Sequence, residues 1–199
     1  MRQVDAPGAA HQTTTGLDSR KLLMWAFLAS ECMFFGTLIS TYLVYRGRSV
    51  SGPTPHEILN IPLTSISTFV LLMSSLMMVL ALAAIQRGDM GKFRLFIGLT
   101  ALLGLTFLGF QVYEFTTFSQ EGLTLQTNLF GSTFYTLTGF HGAHVTVGVI
   151  WLLSLLGFSY TERMRPEHSL RVEIAGLYWH FVDIVWIVIF TVVYLVGSY

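Results

Sequence analysis

Five long apolar runs, separated by short polar segments, dominate the sequence. They cover residues 22–45, 62–86, 93–115, 129–160 and 172–196. At 1.5 Å per residue, each run is long enough for a helix to cross the hydrocarbon core of a bilayer, which needs about 20 residues. The pattern predicts an all-α membrane protein: a polar N-terminal tail, residues 1–19, and a single domain, residues 20–199, made of five transmembrane helices.

Helix caps and breakers mark the ends of these runs. Asp18 or Ser19 can cap the first helix, and Pro62 is a favoured first-turn residue of the second. The third run follows the second after only a few polar residues, so these two helices are expected to form an antiparallel hairpin. Pro166 stops the fourth helix before the fifth begins.

The composition excludes an ordinary soluble domain. Hydrophobic residues make up 53% of the chain, charged residues 11%, and the mean hydropathy is +0.62. The formal net charge is +0 and the basic residues are dispersed, so nucleic acid is not an expected partner. The single cysteine, Cys32, can form neither an internal disulfide nor a CxxC metal or redox site.

The distribution of Lys and Arg predicts the orientation in the membrane. When the segments between the runs are assigned to alternate sides, nine basic residues lie on the side of the N-terminus and two on the other. Basic residues accumulate on the cytoplasmic side of membrane proteins. We therefore expect a multi-pass membrane protein with its N-terminus in the cytoplasm and its C-terminus outside.

Several ionisable residues lie at membrane depth, where each costs about 2.5 to 3.5 kcal/mol on insertion scales. These are Glu31, His141, His144, His180 and Asp183. Residues three apart share a helix face, and approximate depths place both such pairs near the level of Glu31. The simplest prediction is one buried polar layer between the first, fourth and fifth helices.

Three interpretations of this layer remain open. The first is a metal or haem site, which is disfavoured because three or four convergent ligands are not evident. The second, which is preferred, is a structural hydrogen-bond network. The third is a proton-linked carboxylate. Glu31 is expected to be a neutral acid without a nearby cation, and Glu114 to be a solvated acid at the membrane interface.

Other residues have simpler expected roles. The glycines of the third and fourth helices are expected to be packing positions. The aromatic side chains toward the C-terminus are expected to anchor the chain at the membrane interface. These are Tyr178, Trp179, Tyr194 and Tyr199.

Four motifs resemble subunit III of the haem-copper respiratory oxidases. They are ASECMFF (29–35), QVYEF (111–115), GSTFY (131–135) followed by TGFHGAHV (138–145), and YWHFVDIVW (178–186). They occur in the same order as in that family, and the resemblance extends from about residue 17 to the C-terminus. Glu31 matches the buried carboxyl of the family's first motif. The chain is similar to the short bacterial form, which lacks the first two of seven helices.

The resemblance implies a role without autonomous catalysis. It implies that this chain has no catalytic, cofactor-binding or metal residues, and that haem and copper lie in partner subunits. The implied partners are the catalytic subunit I, subunit II, a candidate small subunit IV, and phospholipid. Together they would form a proton-pumping terminal oxidase that reduces oxygen to water. The subunit would stabilise subunit I and support oxygen entry and proton uptake.

The electron donor and one function of another class stay open. Glu31 and the GSTFY and TGFHG stretches resemble the branch that oxidises cytochrome c, which is preferred. The Gly52-Pro-Thr loop and the ending FTVVYL, residues 190–195, resemble the quinol-oxidising branch. A free-standing proton-coupled transporter, with Glu31 and Asp183 as coupling acids, fits poorly because the five runs lack an internal proline break.

Overall fold

The computed structural model describes residues 18–46, 48, 60–161 and 165–196. The helices are α1 (Ser19–Tyr45), α2 (Ile61–Gln86), α3 (Met90–Gln120), α4 (Leu129–Tyr160) and α5 (Ser169–Phe190). A 3₁₀ turn, Pro166–His168, precedes α5, and a π-helical turn, Thr191–Leu195, continues it. Within these described residues, five helical segments are long and apolar enough to cross a membrane. The predicted all-α architecture with five spans is confirmed, whereas most of the expected tail, the Gly52 loop and Tyr199 lie outside the described residues.

Helices α1 and α3 begin three residues before their apolar runs, and polar side chains cap the first turns of α1, α2, α3 and α4. Each cap accepts a hydrogen bond from a backbone N–H in the first turn. The caps are Asp18, Asn60, Asp89 and Asn128, with N···O distances of 2.8, 3.2, 3.0 and 2.7 Å. The backbone and side chain of Lys92 also lower the pKa of the Asp89 carboxyl. The largest departure from the prediction is α3, which extends beyond residues 93–115 at both ends.

The α2/α3 connection is a tight turn, as predicted. Gly88 has a φ of 78°, in the left-handed region that glycine adopts without strain. Gly88 N–H donates to the carbonyl of Ile85, and Asp89 N–H donates to that of Ala84. The two helices therefore run antiparallel and pack against each other.

Helix α5 lies at the centre of the bundle. It contacts α1, α2 and α4, while α3 packs between α2 and α4. Over the most apolar stretch of each helix, 56% of the α5 segment but only 11% of α1 is buried. Helix α1 has its main contacts with α4 and α5 and buries only Leu28, Phe35 and Tyr42, one residue every two turns. Met24, Leu38 and Ile39 are partly buried against the same core, and most of its other apolar side chains are exposed.

Trp179 of α5 is the point where four helices meet. It is 1% exposed, and its indole N–H donates to Ser74 Oγ of α2 at 3.0 Å. Gly104 of α3 and Gly148 of α4 both adjoin its ring: a Cβ added at either would lie 2.7 or 2.8 Å from a ring carbon. These two glycines are packing positions, as predicted. Gly109 and Gly157 are not, because an added Cβ would meet nothing within 4 Å.

The expected interface anchors are part of the bundle interior instead. Tyr178, Trp179 and Tyr194 are 4%, 1% and 1% exposed. Each polar group has a partner inside the bundle, since Tyr178 Oη donates to the His144 carbonyl at 3.0 Å and Tyr194 Oη to Glu114 Oε2 at 3.2 Å. An aromatic side chain whose polar atom is satisfied internally gains nothing from the membrane interface. The predicted anchoring role is therefore wrong for these three residues.

Candidate functional site

Glu31 of α1 and His144 of α4 face each other across the α1/α4 contact. His144 Nε2 lies 3.2 Å from Glu31 Oε2, and the two side chains are 18% and 17% exposed. The approach is at ion-pair distance, although it is not aligned as a hydrogen bond. Helix α1 is amphipathic only weakly, so this contact and the buried stripe fix which of its faces meets α4.

The hydrogen bonding of His144 distinguishes its two ring nitrogens. Nδ1 lies 2.7 Å from the Phe140 carbonyl, which only accepts, so Nδ1 carries a hydrogen and donates it. Nε2 is then the nitrogen that faces the Glu31 carboxyl. The sequence predicts no cation near Glu31, and the structure places the ionisable ring of His144 beside it.

His141, one turn before His144, occupies a different environment. Its ring is fully buried, stacks on Trp186 of α5 at 4.8 Å, and meets the edge of Phe107 of α3 at 5.8 Å. Neither ring nitrogen has a hydrogen-bond partner in the part of the chain that the structure describes. His141 is thus a component of an aromatic core, although its two nitrogens remain available to hydrogen-bond.

His180 and Asp183 lie on the side of α5 that faces α2. His180 Nδ1 and Ser75 Oγ of α2 are 2.6 Å apart, and the same hydroxyl lies beside the Asp183 carboxyl. Asp183 is 3% exposed, and its two oxygens lack an aligned hydrogen bond within the described ranges. These two residues therefore connect α5 with α2 rather than with α1 or α4.

The five predicted residues consequently do not form one directly bonded layer within residues 18–46, 60–161 and 165–196. Glu31 and His144 connect α1 with α4, and His180 connects α5 with α2. His141 packs between aromatic rings at the centre. The described residues contain no group of three or more His, Cys, Asp or Glu side chains that could hold a metal ion.

Glu114 is buried rather than solvated. It is 6% exposed, accepts a hydrogen bond from the Thr64 hydroxyl of α2, and accepts a second from Tyr194 Oη. Helix α3 continues to Gln120, so Glu114 lies more than one turn inside the helix end.

Sequence reasoning missed the polar contacts that connect α2 and α3 with their neighbours. Thr64 and Tyr194 bind Glu114, the indole of Trp186 donates to Thr68 Oγ1 at 2.9 Å, and Gln111 Nε2 donates to the Thr138 carbonyl at 2.7 Å. The row of hydroxyl residues along one face of α2 was the available signal. Such residues are common contact positions in membrane helices, so the pattern indicates packing but not the identity of the partners.

A comparison with protein families identifies the family of this chain. The family model described as cytochrome c oxidase subunit III matches residues 5–198. The chain belongs to this family. Within the subunit III chain, the four motifs supply the contacts described above: the first contains Glu31, the second Gln111 and Glu114, the third His141 and His144, and the fourth Trp179, His180, Asp183 and Trp186.

Curated relatives include oxidases with two kinds of donor. The cytochrome c oxidase subunit 3 of Bacillus sp. (strain PS3) is 39% identical over 96% of this chain and 93% of its own length. The quinol oxidase subunit 3 of Bacillus subtilis (strain 168) is 39% identical over 87% and 85%. The cytochrome bo(3) ubiquinol oxidase subunit 3 of Pseudomonas aeruginosa is 36% identical over 87% and 83%. Similar identities in both groups leave the donor open.

Proposed function

We propose that the chain is a non-redox accessory subunit of a proton-pumping terminal oxidase that reduces oxygen to water with cytochrome c as donor. The observation that carries the proposal is the family match over residues 5–198, together with five membrane-spanning helices whose motif residues contact one another. The subunit stabilises the catalytic subunit and supports proton uptake, oxygen entry and lipid binding. The quinol-oxidising assembly is the alternative, supported by relatives of similar identity.

The proposed partners are the catalytic subunit I, subunit II and a candidate small subunit IV, with haem and copper in the partners. The surface of α1 supports an assembly, because large apolar side chains point away from the bundle. Leu23, Trp25 and Met33 are 73%, 57% and 77% exposed. In a membrane these side chains contact lipid or another subunit. Only a small part of α1 is buried against the other helices, so a further partner would help to keep it in place.

Purification of the tagged chain from its native membrane tests this proposal. An oxidase subunit brings haem-containing partners with it, so haem absorption bands should appear in the same fraction. The preparation should then consume oxygen with reduced cytochrome c. Oxygen consumption with a quinol alone would support the alternative donor. A chain that purifies without haem proteins would contradict both and favour a free-standing transporter.

We also propose that the protein lies in the bacterial cytoplasmic membrane with its N-terminus in the cytoplasm, supported by nine basic residues on that side against two. In a Cys32→Ser background, Ser119→Cys near the end of α3 should react with an impermeant maleimide on intact cells. Glu167→Cys, which is exposed before α5, should react only after lysis. The reverse pattern of labelling would show the opposite orientation.

A further inference from the structure

An open groove runs along the outer face of α3 and α4, at the end of the bundle that holds the α2/α3 turn. Its volume is about 540 Å³, within the range of about 300 to 1,000 Å³ typical of ligand sites. Arg94 and Tyr160 lie at one end of the groove, while Leu95, Gly98, Leu102 and Leu156 line the remainder. One end is therefore cationic and the rest is apolar.

Contacts with α4 hold the guanidinium of Arg94 at the mouth of the groove. Nη2 donates to the Ser159 carbonyl at 2.6 Å, and the guanidinium carbon lies 4.7 Å from the centre of the Tyr160 ring. Nε is buried and has no hydrogen-bond partner in the described part of the chain. An arginine has five N–H donors, so the fixed guanidinium still has donors to offer, and among the described residues it forms no ion pair with Asp or Glu.

The depth of Arg94 matches that of a lipid headgroup. It is four residues into α3, or about 6 Å along the helix axis. Tyr160 is the last residue of α4 and is 66% exposed, as expected for a side chain at the membrane interface. The cationic end of the groove thus lies at the boundary between water and hydrocarbon.

The apolar part of the groove continues from Arg94 toward the membrane interior. Gly98 and Leu102 follow Arg94 at intervals of four residues, on the same face of α3, over about 12 Å. A Cβ added at Gly98 would have one near neighbour, Leu156 Cδ2 at 3.8 Å. The glycine therefore leaves open a channel of the shape that an extended hydrocarbon chain fills.

We propose that this groove binds one anionic phospholipid, with its phosphate on Arg94 and an acyl chain along Leu95, Gly98 and Leu102. Basic pockets between membrane helices on the cytoplasmic side favour anionic headgroups. Arg87 lies outside the groove, and Lys92 is paired with Asp89 at 3.0 Å, so Arg94 is the basic residue that faces the groove. The inference deepens the lipid binding in the proposed function, and for the side of the membrane it rests on the proposed orientation.

Native mass spectrometry of the purified oxidase complex tests the site. The complex is reconstituted into nanodiscs of equal phosphatidylglycerol and phosphatidylcholine, and the retained lipids are counted. Arg94→Gln should lower the occupancy by phosphatidylglycerol, with an affinity about fivefold weaker, since one basic residue at the surface contributes about 1 kcal/mol. Arg94→Lys should retain most of it. Gly98→Leu should fill the channel and release the lipid while the charge is unchanged.

Two matched variants serve as controls. Arg87→Gln removes a charge from the same turn outside the groove, and Gly157→Leu adds a side chain where nothing lies within 4 Å. Equal occupancy by phosphatidylglycerol in Arg94→Gln and Arg87→Gln would overturn the proposal. It would also be overturned if Arg94→Gln lost phosphatidylcholine and kept phosphatidylglycerol. Haem absorption of the same samples reports the proposed function separately, because an oxidase assembly can be intact whether or not this lipid is bound.

Discussion

An oxidase depleted of this subunit is expected to start turning over at its normal rate and then to lose activity during catalysis. The described residues hold no cluster of metal ligands, and we place haem and copper in the partners. Depletion should therefore leave the haem spectra unchanged. The first electron transfers to oxygen should also proceed normally.

The oxidase should stay active for fewer turnovers, because the proposed role of the subunit is to support proton uptake and oxygen entry. If proton delivery slows, a reactive oxygen intermediate waits longer at the metal centre, and each turnover carries a greater chance of irreversible damage. Removal of a five-helix surface also exposes contacts on the partner that were buried. The loss should be faster at alkaline pH, where protons are scarce.

Oxygen consumption recorded against turnover number, for intact and depleted enzyme at two pH values, measures this effect. Re-addition of the subunit before turnover is the control and should restore persistence. Re-addition after inactivation should not restore it. Missing haem bands in the depleted enzyme, or a lifetime equal to that of the intact enzyme, would show that the proposed role is wrong.

Gly148→Ala is expected to destabilise the bundle strongly for so small a change. The added methyl would lie 2.8 Å from two carbons of the Trp179 ring. That ring cannot yield easily, because Gly104 adjoins it from α3 and its N–H is bound to Ser74. Overpacking of this kind costs about 1 to 3 kcal/mol, so the thermal unfolding temperature of the purified complex should fall.

The open glycines of the same two helices provide the control. Gly109→Ala and Gly157→Ala add the same methyl where nothing lies within 4 Å. Alanine in a helix is more favourable than glycine by about 0.5 to 1 kcal/mol, so these variants should be neutral or more stable. Trp179→Phe should relieve part of the cost of Gly148→Ala in the double variant. Equal effects of Gly148→Ala and Gly157→Ala would contradict the packing described here.

Hydropathy was sufficient to predict the five spans because a helix in lipid must be both long and apolar. It located the helix ends less well, since polar caps such as Asp89 extend a helix beyond its apolar run. The burial of Glu114 was missed because its carboxyl is covered by Thr64 and Tyr194, which belong to other helical segments.

The depth of a residue could be estimated from the sequence, but its partner could not. His141 and His144 lie within one turn of each other, yet the first stacks on Trp186 and the second faces Glu31. Which residue meets which depends on the rotation of α4 about its axis, and this is set by close approaches such as Gly148 to Trp179. A weakly amphipathic helix contains no sequence signal for that rotation.

The placement of α1 has a consequence for biosynthesis. Helix α1 is made before α2 and α3, but the helices that it packs on, α4 and α5, are made after them. Until residue 144 has been inserted, Glu31 has no histidine beside it, whereas α2 and α3 can pair as soon as their turn is complete. The nascent chain thus holds α1, with its acidic Glu31, in the membrane without its partners while residues 46–144 are synthesised. An insertion factor or a neighbouring subunit that binds α1 during this interval would protect it until its contacts with α4 and α5 can form.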